Sequence, residues 1–350
     1  MRTGEGRAAV ADCDALLEEF FAERIASAAR LDPSYEALWS ALAESMRGGK
    51  RLRPRLLLAA HGALGGVEGT AEVHAAAAFE LLHTALLVHD DVLDGDVMRR
   101  GRPNLPGRFT DHGRERGLSE RSARAWGRAS GVLAGDLLLS AVYAFVGRVA
   151  SPARPALHAI IDECLFVTAA GEHADISFGL GVRPAREADI VRMMRHKTAI
   201  YSFAAPLRAG AVLAGASEGS QDALSRIGEQ LGLLYQLRDD MLGVFGDERH
   251  TGKSIEGDLR EGKRTLLVAL AEGHPQWLAV RHLFGSETLD REGAARLRDA
   301  LVSSGARDRA ETLIRRQREQ LSRRIEVAPL PLALREHLAV LADTCVERVA

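Results

Sequence analysis

An all-α fold follows from three observations. Apolar residues recur at helical spacing through the long segments of the chain. Aromatic residues make up only 5% of its 350 residues. Alternating runs of Val, Thr and Tyr, the signature of strands, are nearly absent. No Pro-, Gly- or Ser-rich linker divides the sequence, so the expectation is one large all-α domain over residues 1–350.

The helices are expected in this order. Residues 14–30, "DALLEEFFAERIASAAR", repeat apolar positions at helical spacing. Residues 70–96 form one long helix, with Thr70 as its cap and Gly95 near its end. Residues 129–150 form another. Residues 220–245, "SQDALSRIGEQLGLLYQLRDDMLGVF", repeat the plan of 70–96: a polar start, an apolar body, then paired aspartates. Gly and Pro punctuation marks loops at 101–117, 177–188 and 246–265. Three further helices are expected from Arg281 onward. The helices at 70–96 and 220–245 are apolar nearly all round, which places them in the middle of a bundle. Their acidic ends would then project into a shared cavity.

Bulk composition excludes several classes of partner. A net charge of −2 with 27% charged residues gives no global attraction to nucleic acid or to an anionic membrane. Cys13, Cys164 and Cys345 are widely spaced, odd in number and without a CxxC pair, so reduced thiols in the cytoplasm are expected. No apolar run reaches about 18 residues, so no membrane span is expected. The opening "MRTGEGRAAVADCD" lacks the apolar core of a signal peptide.

The acids carry the chemistry. Asp90 and Asp94 lie four apart on a helix and so share a face, with Asp91 beside them. Like charges that close repel, unless a cation neutralises them. Negative charge at a helix C-terminus also opposes the macrodipole, so a purely structural end would favour Lys or Arg. A second pair, Asp239 and Asp240, follows Gln236 and precedes Asp247. Two all-oxygen clusters suit Mg²⁺, which takes one or two carboxylates and completes its shell with water and phosphate oxygens. The pattern predicts a diphosphate held by metals between two helix ends.

Diphosphates also need direct cations, and basic residues recur in each candidate loop. "GGKRLRP" (48–54) supplies Lys50 and Arg53. Arg99 and Arg100 follow the first acid cluster. Lys197-Thr198 lies mid-chain, and "TGKSIEGDLREGKRT" (251–265) supplies Lys253 and Lys263. Arg offers fork-like donors and Lys a mobile point charge. The "GKS" at 252–254 is not a P-loop, because Gly246 stands one place too early and no strand precedes it. His83 sits seven residues before Asp90 on the same stripe.

Together "GGKRLRP", "HDDVLDGDVMRRGRP", Gly135-Asp136, "HKTA" at 196–199, "YQLRDDMLGVFGD" and "TGKSIEGDLREGKRT" resemble the trans-isoprenyl diphosphate synthases, the polyprenyl synthetase family, and most of all bacterial geranylgeranyl diphosphate synthases. The motifs keep family order over residues 48–265, with the helices of 281–350 beyond them. The resemblance implies the isoprenoid synthase fold: about a dozen helices around a deep central cavity, as a cytoplasmic homodimer. It implies Mg²⁺-dependent head-to-tail condensation of isopentenyl diphosphate with dimethylallyl, geranyl or farnesyl diphosphate. Nucleic acid and stable membrane insertion have no part in it. By the resemblance, Asp90 and Asp94 hold two Mg²⁺ ions and Asp239 a third, with Asp91 and Asp240 in the layer behind. Arg99, Lys197, Lys253 and Lys263 serve the allylic diphosphate. Lys50, Arg53, His83 and Arg100 serve isopentenyl diphosphate. Lys197, Thr198, Gln236 and Lys253 are the catalytic set. The sequence departs from the family pattern at Gly243, where a third aspartate often stands.

Ionisation of the allylic substrate would be driven by cations around the departing diphosphate, with apolar helices shielding the carbocation from water. No protein base is needed if the released diphosphate takes the proton. The growing chain would run down the first acid helix, where Leu86, Leu82 and Phe79 lie roughly 6, 12 and 16 Å below Asp90 on nearly its own face. In the family the fourth and fifth positions before the first aspartate set product length. Here these are Leu86 and Ala85, neither aromatic, which points to a C20 product with Phe79 as the next bulky floor. C15, C25 and longer products stay open. A class I terpene cyclase has no use for Lys50, Arg53 and Arg100. An HD-type phosphohydrolase, suggested by His61 and His89-Asp90, leaves the Asp239 pair unexplained. An inactive regulatory subunit would lose acids from both pairs, and both remain.

Overall fold

The computed structural model describes residues 5–99, 101–246, 256–286 and 288–347. It is helical almost throughout. In chain order come α1 (Glu5–Ala29), α2 (Pro33–Ser45), α3 (Leu52–Ala63), α4 (Ala71–Asp94), a hairpin of β1 (Met98–Arg99) and β2 (Arg102–Pro103), α5 (Leu105–Glu115), α6 (Glu120–Gly147), α7 (Arg154–Gly179), α8 (Glu187–Met194), a π-helix (Arg195–Ala204), α9 (Ala205–Leu213) and α10 (Glu218–Phe245). Short helices Gly257–Glu261, Leu266–Ala271 and Pro275–Val280 follow, then the longer Arg291–Ser303, Ala306–Glu326 and Leu332–Glu347. The last three are the expected C-terminal helices.

Two compact units share these elements. The first takes the described residues up to 160 together with 206–216; the second takes 161–205 and 217 onward. In the first unit α4 is the axis, packed by α1, α3 and α6. Its Ala75–Ala78 tract is 0–1% exposed. Four small residues in a row let neighbouring helices approach closely, which is why a helix apolar on nearly every face is stable there. Phe20 packs edge-on against Phe21, Trp39 and Phe145, with ring centroids 5.2, 5.9 and 5.2 Å away. In the second unit α10 is packed by the π-helix and by Ala306–Glu326 and Leu332–Glu347.

Several boundaries differ from the sequence reading, each for a local reason. α6 begins at Glu120, nine residues before the expected 129, because Ser119 caps it through the Ser122 N–H. The stretch 101–117 is not a loop. Asn104 caps α5 by accepting from Gly107 N–H at 2.8 Å, and the proline in its first turn is compatible with a helix start. The loop expected at 177–188 narrows to 180–186. Within 246–265, residues 257–261 are helical, and 247–255 lie outside the described residues. α4 and α6 are long and apolar enough to cross a membrane by length and composition, contrary to the sequence expectation; 72% and 50% of their apolar windows are buried inside the protein. The burial of α4 is that of a core helix, whereas α6 leaves half of its apolar window unburied.

Candidate active site

The first unit presents the Asp90 cluster at the end of α4. Gly95 closes the helix in the left-handed conformation, φ 74°, with its N–H on Asp91 O. Carboxylate oxygens of Asp90 and Asp94 lie within 4.8 Å of one another. Asp94 is exposed and Asp90 half-buried, whereas Asp91 is 3% exposed. Arg99, in the first strand of the hairpin that follows, reaches back to the acids. Its Nε donates to Asp91 Oδ1 at 2.7 Å and its Nη2 to Asp90 Oδ2 at 3.0 Å. Burial pushes the Asp91 carboxyl up to about 6, and Arg99 only partly opposes that. Asp91 therefore orients Arg99 from behind, while Asp90 and Asp94 form an all-oxygen pair able to hold a divalent cation. His89 stacks over Gly135, where an added Cβ would fall 2.1 Å from its Nε2, and its Nε2 lies 3.4 Å from Asp136 Oδ1. The Gly-Asp motif thus has a packing role beside the acids.

The same unit carries Lys50, exposed, Arg53, half-buried at the start of α3, and His83, half-buried on α4. Lower on α4, Leu86 is half-buried, Ala85 and Leu82 are 0% exposed and Phe79 2%. His61 is 5% exposed and burial holds its imidazole below the ordinary range, the state of a core histidine.

The second unit gathers the remaining polar groups. Lys197 and Thr198 lie in the ten-residue π-helix, an element that often accompanies functional sites. Lys197 Nζ meets Glu172 Oε1 at 3.0 Å and Asp175 Oδ2 at 2.7 Å, both from α7. That approach needs Gly171, since a Cβ there would fall 2.2 Å from Lys197 N. Thr198 Oγ1 donates to Gln236 Oε1 at 3.0 Å, and Gln236 Nε2 donates to Asp240 Oδ1 at 2.7 Å. Asp240 is 6% exposed, and burial pushes its carboxyl up to about 7. Asp239 beside it is half-buried and turned to a different face. Burial works against a charge on Lys263, but Asp258 and then Asp240 hold it protonated, with its pKa above the ordinary lysine value. A Cβ at Gly243 would lie 2.3 Å from Asp258 Oδ2, so the Asp258 carboxylate fills the space of the side chain that the family pattern often has there.

The sequence reading missed Glu172, Asp175, Asp258 and Arg51. Glu172 and Asp175 stand three apart and so share a helix face, a spacing legible in the sequence. Arg100, Asp247 and Lys253 lie outside the described residues.

The sequence and the fold both have counterparts among known proteins. The polyprenyl synthetase family matches residues 36–298. A geranylfarnesyl diphosphate synthase of Aeropyrum pernix is 34% identical over 313 residues, 86% of this chain and 91% of the relative. A (2E,6E)-farnesyl diphosphate synthase of Mycobacterium tuberculosis is 32% identical over 334 residues, 89% and 86% of the two chains. The crystal structure of a geranylgeranyl pyrophosphate synthase from Corynebacterium glutamicum, complexed with isoprenyl diphosphate and magnesium, superposes with a TM-score of 0.89 at 27% identity, covering 97% of this chain and 98% of that one. The chain belongs to the polyprenyl synthetase family and is a prenyltransferase.

Proposed function

We propose that the enzyme condenses isopentenyl diphosphate head-to-tail with an allylic diphosphate, and that its main product is the C20 geranylgeranyl diphosphate. The observation that carries the reaction is the open Asp90–Asp94 carboxylate pair beside the Arg99 fork. Asp90, Asp94 and Asp239 would hold Mg²⁺, three ions by family resemblance. Bound there, the ions would neutralise the leaving diphosphate and lower the barrier to C–O ionisation. Arg99, Lys197 and Lys263, with Lys253, bind the allylic diphosphate. Lys50, Arg53 and His83, with Arg100, bind isopentenyl diphosphate. The Thr198 hydroxyl and Gln236 carbonyl place dipoles for the allylic cation, and their mutual hydrogen bond fixes both. The apolar wall of α4 keeps water away, and the released diphosphate takes the proton.

The C20 assignment rests on α4. Neither Ala85 nor Leu86 is aromatic, and Phe79, below Leu82 on the Asp90 stripe, is the first phenylalanine, tyrosine or tryptophan beneath them. Incubation with each allylic starter, isopentenyl diphosphate and Mg²⁺ should give C20, and nothing in EDTA. Phe79→Ala should lengthen the product. A sole C10 product, or an unchanged distribution in the variant, would show that the floor lies elsewhere.

Trp126, Val132, Leu133 and Tyr143 are 37, 44, 56 and 36% exposed along α6, an apolar set suited to a second copy of the chain. We infer a homodimer, to be read by sedimentation; a monomer at micromolar concentration would refute it. Cys13, Cys164 and Cys345 are all buried and none is in a disulfide, which fits a reducing cytoplasm.

A further inference from the structure

Among the described residues, Arg51 is the one non-glycine with positive φ, at φ 49° and ψ 44°. It stands inside "GGKRLRP", after Gly48 at φ 79° and Gly49 at φ 84°. Glycine takes that conformation freely. A residue with a Cβ is strained there, and persists only if its surroundings hold it.

The holding contacts are explicit. Arg51 Nε donates to Asp14 Oδ1 of α1 at 2.6 Å, and Nη1 donates to Glu80 Oε1 of α4 at 3.0 Å. The Arg51 and Glu80 side chains are only 15% and 7% exposed. Glu80 Oε2 is buried without a hydrogen-bond partner, so Arg51 is what offsets that carboxylate. The guanidinium thus pins the loop to α1 and to α4, three residues before His83. Lys50, just before it, stays exposed, and Arg53 opens the first turn of α3.

We propose that Arg51 is a positioning residue for the isopentenyl diphosphate subsite. Its two ion pairs maintain the left-handed turn that presents Lys50 and Arg53 in fixed register with His83. Preorganisation of this kind tightens binding without new ligand contacts. The inference rests on the reading that Lys50 and Arg53 bind isopentenyl diphosphate.

The test is steady-state kinetics on Mg²⁺-loaded Arg51→Lys, Arg51→Gly, Glu80→Gln, Lys50→Ala and Arg53→Ala proteins, with thermal midpoints measured beside them. Arg51→Gly keeps the backbone conformation and removes the clamp; Arg51→Lys keeps the charge and loses the fork. Both should raise KM for isopentenyl diphosphate about tenfold, with kcat and the allylic KM within about twofold. Glu80→Gln should move the same constant in the same direction, and provides the reading if either Arg51 variant does not fold. Equal loss toward both substrates, or an unchanged isopentenyl KM, would overturn the clamp. If Lys50→Ala and Arg53→Ala leave that KM unchanged, the subsite assignment itself fails and the clamp falls with it.

Discussion

α4 stops at Asp94, four residues beyond Asp90, and Gly95 closes it at once. α10 runs on for five residues past Asp240, to Phe245. Both carry an Asp-Asp pair, but these pairs stand in different surroundings. On α4 the acids occupy the final turn, where exposed helix carbonyls add to their negative charge. Two of them stay accessible, and the third is buried against Arg99. On α10 the pair sits inside the helix. Asp240 is buried and bound by Gln236, which leaves Asp239 as the accessible member. The first end concentrates negative charge that only a cation can relieve. The second end offers one such ligand and uses its other acid to order Gln236, Thr198 and Lys263. An identical dipeptide therefore does not imply an identical task; its distance from the helix end and its burial decide that.

The largest expected effect tests this contrast directly. Asp94→Asn removes half of the open pair and should lower kcat/KM about a thousandfold, since charge stabilisation at the leaving group is the main source of catalysis. Asp239→Asn should be comparably severe. Asp240→Asn should cost about tenfold or less, because an amide oxygen still accepts from Gln236 Nε2. The measurement is the condensation rate at saturating Mg²⁺ for all three variants. An Asp240→Asn loss as large as that of Asp239→Asn would erase the distinction between the two ends.

Much of the contrast was legible in the sequence, because long apolar helices with acids at fixed spacing write their periodicity plainly. α4 and α10 fell within two residues of their expected ends. The acids Asp90, Asp94 and Asp239, and the cations Lys197 and Lys263, came from motif pattern. What stayed hidden depends on contacts far apart in sequence. The Lys197 partners lie 25 and 22 residues upstream. The π-helix departs from α geometry where Gly171 of α7 meets the Lys197 backbone, and no local signal encodes such a meeting. α5 was read as a loop because Gly, Pro and Asn punctuate it, although Asn at the cap and Pro in the first turn are also how a helix begins. The left-handed Arg51 could not be read at all, since its conformation is imposed by Asp14 and Glu80, 37 and 29 residues away.

A smaller effect sharpens the account of the second end. Gly243 stands where the resemblance to the family leads one to expect a third aspartate, and its empty side is filled by the Asp258 carboxylate, which in turn is the foremost group holding Lys263 charged. Restoring the acid by Gly243→Asp would set its Cβ 2.3 Å from Asp258 Oδ2, so Asp258 must swing away. Two carboxylates would then crowd one lysine. Forced repacking of this kind costs about 1–3 kcal/mol. At about 2–4 °C per kcal/mol, the thermal midpoint should fall by several degrees. Activity should drop as well, although the motif now matches the family pattern more closely. Asp258→Ala alone should also lower activity, and the two changes combined should lose less than their sum, because the first already removes the group that the second displaces. Additive losses would mean that Asp258 and position 243 act independently. A Gly243→Asp protein that is faster and equally stable would mean that this helix end tolerates a third acid, and that the Asp258 carboxylate is no substitute for it.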